Sequence, residues 1–85
     1  MICTIKNGIG KLDGEFKGLA ENAVLKFPTA IKFDVKIALA IENTLMSFKV
    51  EKGSTEFTIP LGFEIDTSKM SIKSNADLSC TVEIV

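Results

Sequence analysis

The chain has 85 residues, which is enough for a single domain (residues 1–85) with one hydrophobic core and leaves no room for a second module. Ten lysines, no arginine and eleven acidic residues give a net charge of −1, which argues against nucleic acid, because lysine cannot make the planar two-point contacts that arginine makes. Histidine, tyrosine and tryptophan are also absent, so the side chain most used for proton transfer near neutral pH is missing, and we predict no enzyme.

The apolar content predicts protein contacts and no membrane span. The longest apolar run, Ile37–Ile41, has five residues, whereas about 20 are needed to cross a bilayer. Residues 1–6 lack the basic start and apolar core of a secretory signal, and the compartment is not predicted. An apolar fraction of 46% is high for so short a chain, so we expect apolar surface to be left for a partner such as a second copy.

The first quarter of the chain predicts strands joined by a tight turn, followed by an ambiguous stretch. Asn7-Gly8 supplies the positive φ angles of a hairpin turn, and residues 11–18 alternate like a strand whose inner face is thinned by glycine. Between residues 15 and 27 the apolar residues fit both a short strand and a helix. We expect at most one short helix, near residues 18–25.

The middle of the chain carries the clearest pattern, with apolar residues at every odd position from Ile31 to Ile41. This period of two predicts a long strand with one buried face. On the other face, Ala38 and Ala40 replace charged residues, so something must cover them: a second sheet, the helix near Leu19 or a neighbouring subunit. Ala38 and Ala40 are therefore the candidate interface residues.

The remaining alternation completes an all-β fold. Asn43 is predicted to form the turn that closes the long strand, and further strands are expected at residues 45–51, 57–65, 70–72 and 78–84. Pro60 implies an edge or a bulge in its strand. Seven or eight short strands at this spacing predict an antiparallel two-sheet sandwich of the immunoglobulin or fibronectin III kind.

Two cysteines lie in the first and last predicted strands. Cys3 and Cys80 are each in phase with apolar neighbours, which favours two buried thiols that act as small hydrophobic residues. A disulfide between them is the alternative. It requires Cα atoms within about 7 Å and an oxidising compartment.

No motif for a cofactor, a metal or catalysis is present. The glycines near residues 8–14 miss the dinucleotide-binding spacing, and two thiols without histidine do not make an ordinary zinc site. Glu56, Glu64 and Asp66 could only formally supply a carboxylate pair, because they lie on the outward face of one predicted strand. We interpret them as a solvated sheet surface.

The stretch from Ile31 to Val85 combines an alternating strand that ends at Asn43 with the later pattern Met70-Ser71-Ile72-Lys73-Ser74-Asn75-Ala76-Asp77-Leu78. In these features it resembles the late-embryogenesis-abundant type 2 family, the water-stress and hypersensitive-response domain, although Thr44 stands where that family has proline. The resemblance implies a two-sheet fold and a non-enzymatic protein.

Three functions follow as hypotheses. The first is a structural or assembly module that acts through protein contacts, such as a subunit of a virus particle or filament. The second is a stress-protective, client-binding domain, as the family resemblance implies. The third is a carrier of an apolar ligand held between the sheets, with walls formed by the phenylalanines Phe33, Phe48, Phe57 and Phe63.

Overall fold

A computed structural model describes all 85 residues. They form eight strands and one 3-10 turn, which are joined by turns and loops. All strand pairings are antiparallel, in sheet A with the order β1-β8-β3-β6 and in sheet B with the order β2-β7-β4-β5. The predicted all-β two-sheet sandwich is confirmed. The elements are β1 (Ile2–Ile5), β2 (Ile9–Lys11), β3 (Lys17–Lys26), β4 (Val35–Ile41), β5 (Thr44–Val50), β6 (Glu56–Asp66), the 3-10 turn (Thr67–Lys69), β7 (Met70–Ser74) and β8 (Leu78–Ile84).

The core lies between the two sheets and is built by the alternation that the sequence shows. Seventeen buried apolar side chains from both sheets form one cluster. In β4 the odd positions from Val35 to Ile41 point inward, because successive side chains of a strand point to opposite faces. The even positions of β4 therefore form part of the outer surface of sheet B.

The two seams between the sheets are closed differently. The Asn7-Gly8 turn joins β1 of sheet A to β2 of sheet B, and both of its φ angles are positive, as predicted for an Asn-Gly hairpin. On the opposite side, the edge strands β5 and β6 meet through the rings of Phe48 and Phe57, whose centroids are 5.6 Å apart in an edge-to-face arrangement.

Residues 18–25, where the sequence allows at most one short helix or a strand, form no helix. This segment is the central strand β3, which pairs with both β6 and β8. Its register shifts between Ala20 and Asn22, so both Ala20 and Ala23 point into the core although they are three residues apart. The bulge therefore produced the helical spacing in the sequence.

Two other predicted strands have different bounds in the structure. The long strand begins at Val35 and not at Ile31, and Phe33 is 57% exposed. The Asp34 carboxylate accepts a hydrogen bond from the N–H of Lys52 at 2.8 Å, which holds the preceding segment against the turn after β5. In place of the strand predicted at residues 11–18, β2 ends at Lys11 and a loop follows.

Thr67 anchors that loop. Its side chain is 2% exposed, and its Oγ1 atom accepts a hydrogen bond from the N–H of Phe16 at 2.8 Å. The same hydroxyl donates to the carbonyl of Gly14 at 3.2 Å. The backbone N–H of Thr67 also donates to the Phe16 carbonyl at 3.0 Å, so one residue of the 3-10 turn fixes the loop between β2 and β3.

Asn43 lies in the two-residue turn between β4 and β5, but the strained angle belongs to its neighbour. Glu42 has a φ of 49°, while Asn43 has a negative φ.

We expect Glu42→Gly to raise the free energy of unfolding by about 0.5–1 kcal/mol, because glycine relieves the strain of a left-handed residue. Asn43→Gly should lower it by a similar amount, since it adds only chain entropy to the unfolded state. Urea unfolding of both variants checks this, and equal signs would contradict it.

Candidate protein-contact face

Ala38 and Ala40 lie on the outer face of sheet B, and both are half-buried. The other sheet packs against the opposite face of β4, and the segment near Leu19 is a strand of sheet A, so neither of these expected covers lies over the two alanines. Within the single chain, the outer surface at Ala38 is therefore open.

Four exposed lysines stand around these alanines, and we call this surface the lysine face. It comprises the outward lysines of all four strands of sheet B, Lys11, Lys36, Lys49 and Lys73. Lys36 of β4 is directly opposite Lys49 of β5, and Lys73 of β7 is directly opposite Ala38. Like charges at directly opposed positions of a sheet are destabilising.

Acidic neighbours relieve little of this repulsion. The carboxylate of Asp34 lies 3.4 Å from the Nζ atom of Lys49, and it is the only ion pair on this face. The hydrogen bond from the Lys52 N–H, followed by the charge of Lys49, holds the pKa of Asp34 below its usual value. Lys11, Lys36 and Lys73 have no carboxylate within 4.0 Å.

The floor between the lysines is made of small side chains. A shallow, open groove of about 500 Å³ runs over Ala38 and Ser47, with Lys36, Lys49 and Lys73 around it. Two apolar side chains flank the lysine face, Leu45 at 60% exposure and Ile9 at 47% exposure. The face thus combines a small-residue floor, apolar flanks and unneutralised cations.

The outer face of sheet A carries the opposite charge, and we call it the acidic face. Its carboxylates stand at outward strand positions or at the β3 bulge, and they are Glu21, Glu56, Glu64, Asp66 and Glu83. Only two lysines lie among them, and one of these, Lys26, bonds Glu83 at 3.1 Å. The chain therefore segregates its charges onto opposite faces of the sandwich.

Among the candidate carboxylates, Asp66 has a local structural role. Its Oδ1 atom accepts hydrogen bonds from the N–H of Ser68 at 3.0 Å and from the Ser68 hydroxyl at 2.6 Å, which caps the 3-10 turn. These bonds lower the pKa of Asp66. Glu56 and Glu64 are exposed along β6.

Cys3 and Cys80 are directly opposite one another in the β1–β8 pair, and both are free and buried. The hydrogen bond with Cys3, together with burial, raises the pKa of the Cys80 thiol above its ordinary value. The same hydrogen bond lowers the pKa of the Cys3 thiol, so the protonated form is favoured at Cys80 alone.

The four phenylalanines proposed as ligand walls do not share one space. Phe33 is exposed in the loop before β4, Phe63 is 38% exposed on β6, and Phe48 and Phe57 contact each other at the seam. No three His, Cys, Asp or Glu side chains are grouped as a metal site would require. The fold contains no helix with the length and apolar character of a membrane crossing.

Comparisons with known proteins add no assignment. No family model, curated protein or solved structure matches this chain. The resemblance to the late-embryogenesis-abundant type 2 family therefore stays a prediction, and the functional argument depends on the chain's own surfaces.

Proposed function

We propose that this protein is a non-enzymatic assembly module that binds acidic protein surfaces through the lysine face. One observation carries the proposal: three lysines, Lys36, Lys49 and Lys73, surround an open groove with a floor of alanine and serine. A subunit of a virus particle or a filament is the setting that such a module fits.

The energetics favour a partner that brings negative charge. Lys36 and Lys49 repel each other across the strand pair, and Lys73 adds a third charge beside Ala38. Carboxylates of a partner seated over the groove would convert this repulsion into attraction. The free protein thus tolerates an unfavourable arrangement that binding would relieve, as is expected where a surface serves binding more than stability.

The shape of the surface favours a protein over a small anion. The groove is an open depression on a sheet, whereas sites for small ligands enclose most of the ligand surface. Leu45 and Ile9 add exposed apolar area beside the charges. A partner protein can cover this apolar area together with the charges, which a small anion cannot do.

The proposal is tested by calorimetric titration with polyglutamate as an acidic polypeptide probe at low ionic strength. We expect the double variant Lys36→Glu/Lys73→Glu to bind at least about tenfold more weakly than the wild type, since it places two negative charges at the groove. The control Lys32→Glu/Lys52→Glu has the same net charge, but both changes lie in loops outside the strands, and it should keep most of the affinity.

The folded state of the variant is checked by urea unfolding. Lys36→Glu places a negative charge opposite Lys49, so the double variant should be at least as stable as the wild type. Equal losses of binding in the variant and its control would contradict the proposal, because net charge alone would then explain them. Tighter binding of single-stranded DNA than of polyglutamate would also overturn it.

A further inference from the structure

We infer that the acidic surface that fits the lysine face is the acidic face of a second copy of this chain, so that copies stack in one direction. This inference rests on the proposed function and adds the identity of the partner. The observation behind it is charge complementarity between the two outer faces of a single sandwich.

The charge difference between the two outer faces is larger than the net charge of the whole chain would suggest. The whole chain has a net charge of only −1. The outward strand positions of sheet B nevertheless carry four lysines and no carboxylate, while the outer face of sheet A carries five carboxylates and two lysines. Surfaces with opposite potentials steer two copies together and fix how they meet.

The geometry of a sandwich gives this contact a direction. The two outer faces point away from each other, so a copy that uses its lysine face on one neighbour leaves its acidic face free for another. Such a contact joins two different surfaces and forms a ring where the rotation closes, or an open filament where it does not.

The available area is sufficient for a weak contact. The molecule measures 33 × 23 × 20 Å, so one sheet face offers roughly 500–700 Å² per copy, somewhat below the ~800 Å² of a standard interface. We therefore expect association that depends on concentration and falls steeply with salt, since charges near a surface are screened over about 10 Å at 0.1 M.

Pairing through sheet edges is the competing route to self-association. The edges of β1 and β2 are tied together by their hairpin, and β6 carries Pro60 and a positive-φ glycine, Gly62. The β5 edge is the most open, with Lys49 as its single charge. Edge pairing depends on backbone hydrogen bonds and not on charge, so the two routes respond differently to salt and to charge reversal.

The proposed stacking of copies is tested by sedimentation of a concentration series at low and high salt. The same measurement is then made on charge-reversed variants, alone and mixed. The wild type should associate at low salt and dissociate at high salt.

The lysine-face variant Lys36→Glu/Lys73→Glu and the acidic-face variant Glu56→Lys/Glu64→Lys should each be monomeric alone. Their equimolar mixture should associate again, because the unaltered acidic face of the first variant can meet the unaltered lysine face of the second. The controls Lys32→Glu/Lys52→Glu and Glu15→Lys/Glu51→Lys change charges in loops and should behave as the wild type.

The outcomes separate this inference from the proposed function. A wild type that stays monomeric at millimolar concentration but binds polyglutamate overturns the stack and leaves the lysine face as a contact surface for other proteins. Association that resists salt and both charge reversals but is abolished by Ser47→Pro in β5 overturns the stack in favour of edge pairing. A wild type that neither associates with itself nor binds polyglutamate overturns the proposed function as well.

Discussion

Replacing Leu39 with alanine is expected to lower the free energy of unfolding by about 2–5 kcal/mol. Leu39 is 1% exposed at the centre of β4, where its neighbours across the sheet are Met46 of β5 and Ile72 of β7. The truncation leaves a cavity in a core that both sheets enclose. For a domain of this size, such a loss is a large part of the total stability, which is typically about 0.05–0.15 kcal/mol per residue.

A matched control exists on the neighbouring strand. Leu45 of β5 is 60% exposed on the outer face, so Leu45→Ala removes the same atoms without opening a cavity and should change the stability by at most about 0.5 kcal/mol. Urea unfolding with a fitted slope measures both. Equal effects at the two positions would contradict the assignment of buried and outward faces from which the lysine face is derived.

The contrast between these two leucines shows what period-two alternation predicts well. Apolar residues at every second position identify the buried face of a strand, and in β4 the odd residues from Val35 to Ile41 all point inward. The Asn7-Gly8 turn was also predicted from local chemistry, as was an edge or a bulge at Pro60, whose strand β6 lies at the edge of sheet A. These features depend on a few adjacent residues, and the sequence shows them directly.

The sequence was ambiguous or misleading where one residue more or less changes the pattern. A bulge between Ala20 and Asn22 converts strand alternation into an apparent helical period, and only the pairing of β3 with β6 identifies it. The alternation also continued from β4 back to Ile31, although the backbone of Ile31 bonds Gly53 and Ser54 of the turn after β5. Both features depend on contacts with distant parts of the chain.

Only part of the lysine face could be predicted from the sequence, because the rest depends on contacts between distant parts of the chain. Ala38 and Ala40 stood out because they interrupt the charged face of one strand, and the structure places them on an outer surface. The lysines around them come from four strands, and their meeting depends on the strand order β2-β7-β4-β5, which the sequence does not state. Lys36 opposite Lys49 is a consequence of register, so the charges that look mixed along the chain are separated in space.

The second large effect on stability is expected at Thr67. Its buried hydroxyl lies at the end of the β3–β6 pair, beside the loop that leads into β3. Thr67→Val keeps the shape of the side chain but removes the acceptor for the Phe16 N–H, a hydrogen bond of 2.8 Å. A buried donor left without a partner costs about 1–3 kcal/mol, so the variant should be less stable by that amount.

Thr67→Ser provides the control, because it deletes a methyl group and keeps the hydroxyl that also donates to Gly14 at 3.2 Å. We expect the serine variant to lose less stability than the valine variant. Hydrogen exchange adds a local readout: the amide of Phe16 should exchange faster in Thr67→Val, since the bond that protects it is missing. A valine variant as stable as the wild type, with unchanged protection at Phe16, would show that water replaces the hydroxyl and that the loop between β2 and β3 does not depend on Thr67.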